Sequence, residues 1–217
     1  MVSIEHSIRN AGRLLDFGCG DGTLLSNICE LGCAEVVGVD INRDYIEKAN
    51  SIGIKNATFH CGDIESEKFD IGVFDVILSS DTFVLFPKLK KKAILLKLAS
   101  LLSPAGVFFL NDFNREIILQ NIAINLQRKS EHYKWHVTKM LEYLYEFDPN
   151  KEDCFGDVYY FADENFYKSI QVEGLSITYE RGMGLFPFKK ASTDYGEDLT
   201  WIYKSFKSRD LITVTRV

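Results

Sequence analysis

The stretch "RLLDFGCGDGTLL", residues 13–25, carries the strongest structural signal in the chain. An apolar run ends at Asp16, three glycines follow at every second position, and an apolar helical pattern then begins. A glycine-rich turn between a strand and a helix lets a ligand approach the backbone closely. It also presents the free N–H groups of a helix N-terminus to that ligand. The stretch therefore predicts a strand, a ligand-binding loop and a helix, in that order.

Strand and helix patterns alternate from this stretch up to residue 112. Repeated units of this kind build a parallel sheet with helices on both faces. The pattern then changes, because residues 114–146 hold two helical stretches and no strand. A further helix is predicted to begin near Asp163, and another spans Leu199 to Phe206. Strands are predicted at 13–17, 35–40, 57–61, 74–80, 107–112, 175–182 and 211–217, and the early helices at 21–32, 42–52 and 88–102.

Composition and charge narrow the class of protein. The 217 residues are 46% hydrophobic and 26% charged, which fits one globular domain. The net charge of −6 disfavours a nucleic-acid partner, since such partners need a basic surface. The best candidate for a local basic groove is the group of lysines at positions 88, 90, 91 and 92 on a predicted helix. Its ordinary interpretation is a solvated helix face.

The sequence patterns favour neither a targeting segment nor a metal-binding motif. The first ten residues lack the apolar core of a signal peptide, and no apolar run reaches membrane-spanning length, so we expect a soluble cytoplasmic protein without a membrane partner. The five cysteines form no C-x-x-C pair, which disfavours structural zinc. We therefore predict no metal site and mostly buried, reduced thiols.

The spacing of the glycines distinguishes this loop from a dinucleotide-binding loop, which reads G-x-G-x-x-G. Here the pattern is an acid followed by x-G-x-G-x-G, complete at Asp16, Gly18, Gly20 and Gly22. This pattern resembles the first motif of the class I S-adenosylmethionine-dependent methyltransferases. The resemblance implies that the loop, Cys19 included, contacts the methionine and ribose parts of the cofactor. It also implies that Asp16 lies near the methionine amino group.

Two later acids extend the resemblance. Asp40 ends the second strand, beside the first loop in a doubly wound sheet, where its carboxylate can accept two hydrogen bonds from a ribose diol. Ile41 follows it as a further cofactor contact. The resemblance places Asp63 at the adenine amino group and packs Ile64 on the adenine ring. Each acid alone also fits a turn or strand end, but three acids at three successive strand ends have the spacing of the family.

The resemblance implies an α/β fold, a doubly wound and mostly parallel seven-stranded sheet of the Rossmann-like methyltransferase type. The last strand, 211–217, would run antiparallel beside the strand at 175–181. We expect one domain over residues 1–217, with a helical insertion at 113–160 after the fifth strand. Because little chain precedes the first strand, we hypothesise that this insertion is a lid that forms the acceptor pocket.

The resemblance also implies the reaction, an in-line transfer of a methyl group from the cofactor sulfonium to a nucleophile. Ser79, at the end of the fourth strand, would contact the cofactor through its backbone. Asp81 could act as a base toward the acceptor, or instead cap the following turn. In "EHYKWHV", residues 131–137, His136 could be a base in an aromatic pocket, or both histidines could be solvated. Weaker pocket candidates are Tyr159, Tyr160 and Arg181.

The function expected from these features is methylation of an O or N atom on a small molecule, with S-adenosylmethionine as methyl donor. Three alternatives remain open. The first is an aminopropyl transferase on the same scaffold, the second a non-catalytic cofactor-binding module, and the third an NAD enzyme. The glycine spacing argues against NAD, and the absence of an N-P-P-Y-like sequence disfavours amino groups on nucleobases as acceptors. The sequence specifies neither the acceptor nor the oligomeric state.

Overall fold

The computed structural model describes residues 4–29, 31–66, 70–113, 162, 164–180 and 209–217. These residues form seven strands and five α-helices, with a 3-10 turn at Phe83–Leu85. The strands are β1 (Arg13–Phe17), β2 (Glu35–Asp40), β3 (Ala57–Cys61), β4 (Phe74–Ser80), β5 (Leu102–Phe113), β6 (Leu175–Glu180) and β7 (Arg209–Arg216). The helices are α1 (Ile4–Arg9), α2 (Thr23–Cys29), α3 (Arg43–Ile52), α4 (Lys88–Ser100) and α5 (Glu164–Ser169).

The seven strands form one sheet in the order β3-β2-β1-β4-β5-β7-β6. The first five strands are parallel, whereas β7 runs antiparallel to both of its neighbours, β5 and β6. The chain order reverses between β1 and β4, and ligands of doubly wound sheets bind at such a switch point. The predicted fold is therefore confirmed, including the antiparallel last strand beside β6.

Alternating side chains of the strands build a separate apolar core on each face of the sheet. Leu15, Phe17 and Ile77 pack on the face that carries α4 and α5. Leu14 and Leu78 pack on the opposite face, with α1, α2 and α3. Because strand residues alternate, Asp16 shares the face of Leu14 and lies at the carboxyl end of β1, at the edge of that second core.

Local sequence signals account for the elements around the site. Asn42 caps α3, because its Oδ1 accepts hydrogen bonds from the backbone N–H groups of Asp44 and Tyr45. Gly53 ends the same helix in a left-handed conformation. The start of α3 is thereby fixed directly behind Asp40, the last residue of β2.

Two elements differ from the prediction. A short helix, α1, precedes β1, and its Ile8 is fully buried in the second core. Strand β5 begins at Leu102 rather than at residue 107, because "SPAG" continues the strand through a register shift opposite Phe74 and Val76. A β-bulge accommodates such residues without ending the strand.

The lysine group on α4 is only partly the solvated face that was expected. The side chains of Lys88, Lys90 and Lys92 are exposed. Lys91 is fully buried, and its Nζ donates to Asp112 Oδ2 over 2.7 Å. The interpretation as a solvated face is therefore wrong for Lys91, since the helix turns this residue toward the sheet.

Several sequence predictions lie outside the described residues. They are the helices in 114–146, the loop at 148–157, the helix from Leu199 to Phe206 and nearly all of the insertion at 113–160. Among the helices that are described, none is long and apolar enough to span a membrane.

Candidate functional site

The loop between β1 and α2 lies at the end of the parallel strands. The backbone N–H groups of Gly18 and Cys19 both donate to the carbonyl oxygen of Val39, over 2.8 and 3.1 Å, which ties the loop to β2. Gly18 has a φ of 76°, and a Cβ there would lie 2.0 Å from Thr82 Oγ1. Only glycine fits this position, because both the conformation and the space exclude a side chain.

Asp16 stands beneath this loop in a dry environment. The residue is 1% exposed, and neither carboxylate oxygen has a hydrogen-bond partner among the residues that the structure describes. Burial raises the pKa of Asp16 from its ordinary 3.8 to about 7, and the negative charge of Asp40 adds to the rise. A buried carboxyl group without a partner is costly, so its place here calls for a ligand that can pair with it.

Asp40 connects three parts of the site. Its Oδ2 accepts from the N–H of Gly20 over 2.9 Å, and its Oδ1 accepts from the N–H of Asn42 over 2.8 Å. Each carboxylate oxygen has a second lone pair, so the group can still accept from a diol. The next residue, Ile41, is 58% exposed and leaves an apolar surface beside Asp40.

Asp63 follows β3 and shapes the next turn. Its Oδ1 accepts from the N–H of Glu65 over 2.9 Å. The N–H of Gly62 donates to the carbonyl oxygen of Asp40 over 3.0 Å, which holds the turn after β3 against the end of β2. The two acids that the sequence assigned to one ligand therefore lie on linked segments.

Three of the residues assigned to cofactor binding are largely buried. Cys19 is 6% exposed, and its Sγ packs over Gly38, where a Cβ would lie 2.9 Å from it. Ile64 is 2% exposed and belongs to the first core. Ser79 is fully buried, and its Oγ donates to the carbonyl oxygen of Phe17 over 3.1 Å. The contacts of these three side chains with a cofactor stay predictions.

The end of β4 contains the one non-glycine residue with a positive φ among the described residues. That residue is Asp81, with φ 60°, and its N–H donates to the carbonyl oxygen of Asn111 over 3.3 Å. Strained backbone of this kind is concentrated at functional sites. The expected cap of the following turn is not Asp81, since Thr82 occupies the N-cap position of the 3-10 turn.

Sequence reasoning missed the residues that hold this end of β4. Thr82 Oγ1 lies within hydrogen-bond distance of the carbonyl oxygens of Phe17, Gly18 and Ser80. Asn111 is 3% exposed, and its Nδ2 donates to Ser80 Oγ over 3.3 Å. Its Oδ1 has no hydrogen-bond partner in the described part of the chain. A polar residue at the end of the apolar run "VFFL" was the available signal for Asn111.

The other assigned residues lie outside the described part of the chain. They are His132 and His136 of the expected pocket, together with Tyr159, Tyr160 and Arg181. Within the described ranges, no group of three or more His, Cys, Asp or Glu side chains is arranged to hold a metal ion.

Comparison with known families and sequences shows which proteins this chain is similar to. A family model described as a methyltransferase domain matches residues 8–173. The malonyl-[acyl-carrier protein] O-methyltransferase of Bacillus cereus is 31% identical over 121 residues, which are 55% of this chain and 44% of that protein. The ubiquinone biosynthesis O-methyltransferase of Xanthomonas oryzae pv. oryzae is 27% identical over 68% of this chain and 66% of its own length. The chain thus aligns with less than two thirds of either relative.

Solved structures share the fold. The plantazolicin methyltransferase BpumL in complex with SAH has a TM-score of 0.58 and 21% identity, over 99% of this chain and 82% of that chain. The same enzyme with a triazolic desmethylPZN analogue and SAH has a TM-score of 0.56 and 21% identity, over 95% and 77% of the two chains. At this identity the likeness establishes the architecture.

Proposed function

The chain belongs to the methyltransferase domain family, and from this premise we propose that it transfers a methyl group from S-adenosylmethionine to an O or N atom of a small molecule. The family that the glycine loop resembles is confirmed, and S-adenosylmethionine is the donor that this family uses. The identity of the acceptor rests on the residues around the end of β4 and on the relatives.

The observation that carries the proposal is the pair of partnerless carboxylate oxygens on Asp16. A nicotinamide dinucleotide would bring its pyrophosphate to this loop, and that anion cannot supply the cationic partner that the buried carboxyl group lacks. An amino-acid-bearing nucleoside brings an ammonium group, which offers the carboxyl group an ion pair and hydrogen bonds. The site therefore fits the methyl donor and disfavours NAD.

The remaining cofactor contacts follow from the geometry of the neighbouring strands. Asp40 would accept from the ribose hydroxyls, because its second lone pairs face no other described donor. The exposed side chain of Ile41 would lie against the adenine ring. Contact with the ring would remove apolar surface of Ile41 from water, which favours binding. Asp63 would accept from the adenine amino group, with Ile64 beneath it.

The bound donor supplies a methyl group on a positively charged sulfur, which makes the group susceptible to attack. The protein's contribution is mainly positioning, since aligning two reactants can lower a barrier by about 7–11 kcal/mol in favourable cases. Thr82 and Asn111 fix the end of β4 against the glycine loop. The two segments that would flank donor and acceptor are thereby held in one geometry.

Asp81 is our candidate for the group that faces the acceptor. Asp81 lies directly after β4, at the carboxyl end of the parallel strands, and its backbone is in the left-handed conformation. A carboxylate there could take the proton of a hydroxyl or amine, an effect worth about 10²–10⁴-fold. The two curated relatives are named as O-methyltransferases, which supports an oxygen nucleophile. His136 remains a second candidate for the base.

Calorimetry with S-adenosylmethionine, S-adenosylhomocysteine and NAD tests the proposal directly. We expect both sulfur ligands to bind and NAD to bind at least about a hundredfold more weakly, because NAD brings no ammonium group to pair with Asp16. Tight NAD binding without either sulfur ligand would refute the proposed function. Binding of decarboxylated donor in preference to the intact donor would instead indicate an aminopropyl transferase.

The acceptor can be found by incubating the protein with methyl-labelled donor and a fractionated metabolite extract, followed by mass spectrometry. Transfer of label to a small molecule supports the proposal, and cofactor binding without any transfer indicates a binding module. For the base, Asp81→Asn keeps a residue that tolerates the left-handed conformation and removes the charge. Turnover should fall at least a hundredfold while S-adenosylhomocysteine affinity stays within twofold.

A further inference from the structure

The carboxyl group of Asp16 has no neutralising partner in the described part of the chain. Both of its oxygens are buried and without a hydrogen bond, although the N–H groups of Gly18 and Cys19 lie in the next turn of chain. Those two donors are already taken by the carbonyl oxygen of Val39. The loop above Asp16 thus leaves the acid without the backbone hydrogen bonds that would stabilise a carboxylate.

The titratable groups around Asp16 make its ionised form still less favourable. On the loop, they are the Cys19 thiol, whose own pKa is raised by burial and then by Asp16, and the carboxyl group of Asp21. On β2 it is Asp40, the one charge that acts directly on Asp16. Every one of these groups is acidic, and no basic group among the described residues acts on Asp16.

A buried acid among acids, without a donor or a cation, is most stable in its neutral form. We propose that Asp16 is protonated in the cofactor-free protein and that binding of the cofactor's ammonium group releases this proton to solvent. No bond of the cofactor changes in this step. The proton leaves the Asp16 carboxyl group, and the ammonium group takes its place as the partner of the carboxylate. The inference rests on the proposed function, because it assumes that the ligand carries an ammonium group at this position.

The consequence is that cofactor affinity depends on pH. Only the fraction of protein with Asp16 ionised offers a counterion to the ligand, so apparent affinity scales with that fraction. With a midpoint near the value of about 7 that burial imposes on the pKa of Asp16, affinity should rise about tenfold between roughly pH 6 and pH 8. The site would then take up and release its cofactor according to the acidity of its surroundings.

Calorimetry with two ligands tests the inference. S-adenosylhomocysteine carries the amino-acid part, whereas 5′-methylthioadenosine keeps the adenosine and the sulfur without it. We expect S-adenosylhomocysteine to bind about tenfold more tightly at roughly pH 8 than at pH 6, and 5′-methylthioadenosine to change by less than twofold. Repeating the titration near pH 6.5 in buffers of different ionisation enthalpy should show release of about three quarters of a proton with S-adenosylhomocysteine alone.

Asp16→Asn provides the matched control, since it keeps the shape of the side chain and removes its titration. The variant should bind S-adenosylhomocysteine more weakly, without proton release and with a pH dependence of less than twofold. Infrared difference spectra offer a second readout, because the carboxyl C=O band of the wild type should disappear when S-adenosylhomocysteine is added. This band should be absent from the difference spectrum of the variant.

The outcomes separate the inference from the proposed function. If S-adenosylhomocysteine binds at all pH values with equal affinity and no proton release, the inference fails and the function stands. If the variant releases the same number of protons as the wild type, another group titrates and the inference again fails. If neither sulfur ligand binds, the function and the inference fall together.

Discussion

Lys91 and Asp112 form a buried ion pair, with 2.7 Å between Nζ and Oδ2 and side chains that are 0% and 2% exposed. Tyr167 OH donates to the same carboxylate oxygen over 2.5 Å, so α4, β5 and α5 meet at one charge. Burial lowers the pKa of Lys91, and the neighbouring carboxylate of Asp112 opposes this shift. The pair holds α4 against the end of β5, next to the site.

We predict that Lys91→Met lowers the free energy of unfolding by about 3–5 kcal/mol, because it takes the Lys91 ammonium group away from the buried Asp112 carboxylate. Lys92→Met removes an exposed lysine from the next position of the same helix and should change stability by less than about 0.5 kcal/mol. Urea unfolding followed by circular dichroism measures both. Adding Asp112→Leu to Lys91→Met should restore most of the loss, and no recovery would contradict the ion-pair explanation.

The sequence predicted the sheet well because its signals are local. Strands with continuous apolar runs, such as β4, and the cap at Asn42 follow from a few adjacent residues. The exceptions depend on tertiary contacts. Strand β5 extends back through Pro104 because its partner, β4, accommodates a register shift. Lys91 is buried because of Asp112, 21 positions along the chain, which a helical pattern of lysines does not reveal.

The candidate site was predictable where a residue's type and strand-end position coincide, as for Asp16 and Asp40. The contacts between separate segments of the site could not be predicted from the sequence. The clash that reserves position 18 for glycine comes from Thr82, and the strained Asp81 is held by the backbone of Asn111. Both relationships join segments that only the folded sheet brings together.

We predict that Gly18→Ala is severely destabilising and that Gly20→Ala is milder. Both positions have positive φ, which costs a residue with a side chain about 1–2 kcal/mol. At Gly18 the new Cβ would also lie 2.0 Å from Thr82 Oγ1, whereas at Gly20 it would meet nothing within 4 Å. We expect losses of about 3–4 and 1–2 kcal/mol in thermal or urea unfolding. Thr82→Gly should partly rescue Gly18→Ala, and equal losses at the two glycines would contradict the steric argument.

We predict that Asp40→Ala weakens S-adenosylhomocysteine binding by at least tenfold and leaves the far-ultraviolet circular dichroism spectrum unchanged. The variant loses the charged partner of the ribose, and it also frees the N–H groups of Gly20 and Asn42 that the carboxylate holds. Asp44→Ala removes an exposed acid from the first turn of α3 and should change affinity by less than twofold. Calorimetry compares the two, and an unchanged affinity in Asp40→Ala would overturn the ribose assignment.

We predict that the cofactor-free protein gains stability when Asp16 is replaced by Asn, and that the gain depends on pH. The pKa of Asp16 is about 7 in the folded protein and near 3.8 in the unfolded chain, so the folded state holds a proton that the unfolded state has lost between these values. The stability that this proton provides is present at low pH and is lost as pH rises toward 7, by up to about 4 kcal/mol. Asp16→Asn should therefore match the wild type near pH 4 and exceed it at pH 8.

The sign of this pH dependence distinguishes Asp16 from an acid that the fold stabilises in its charged form. Asp75 accepts hydrogen bonds from Ser103 Oγ and from the N–H groups of Gly12 and Arg13. Its hydrogen bond from Ser103 is the largest cause of its lowered pKa, so its contribution is present at neutral pH and is lost as pH falls. Urea unfolding from about pH 2 to pH 8 should show Asp75→Asn to be destabilising at all values above about pH 4 and to approach the wild type only below that, whereas Asp16→Asn becomes stabilising toward pH 8. If Asp16→Asn were instead destabilising at pH 8, Asp16 would have a cation as its partner in the folded protein, and its carboxylate would not need the cofactor's ammonium group.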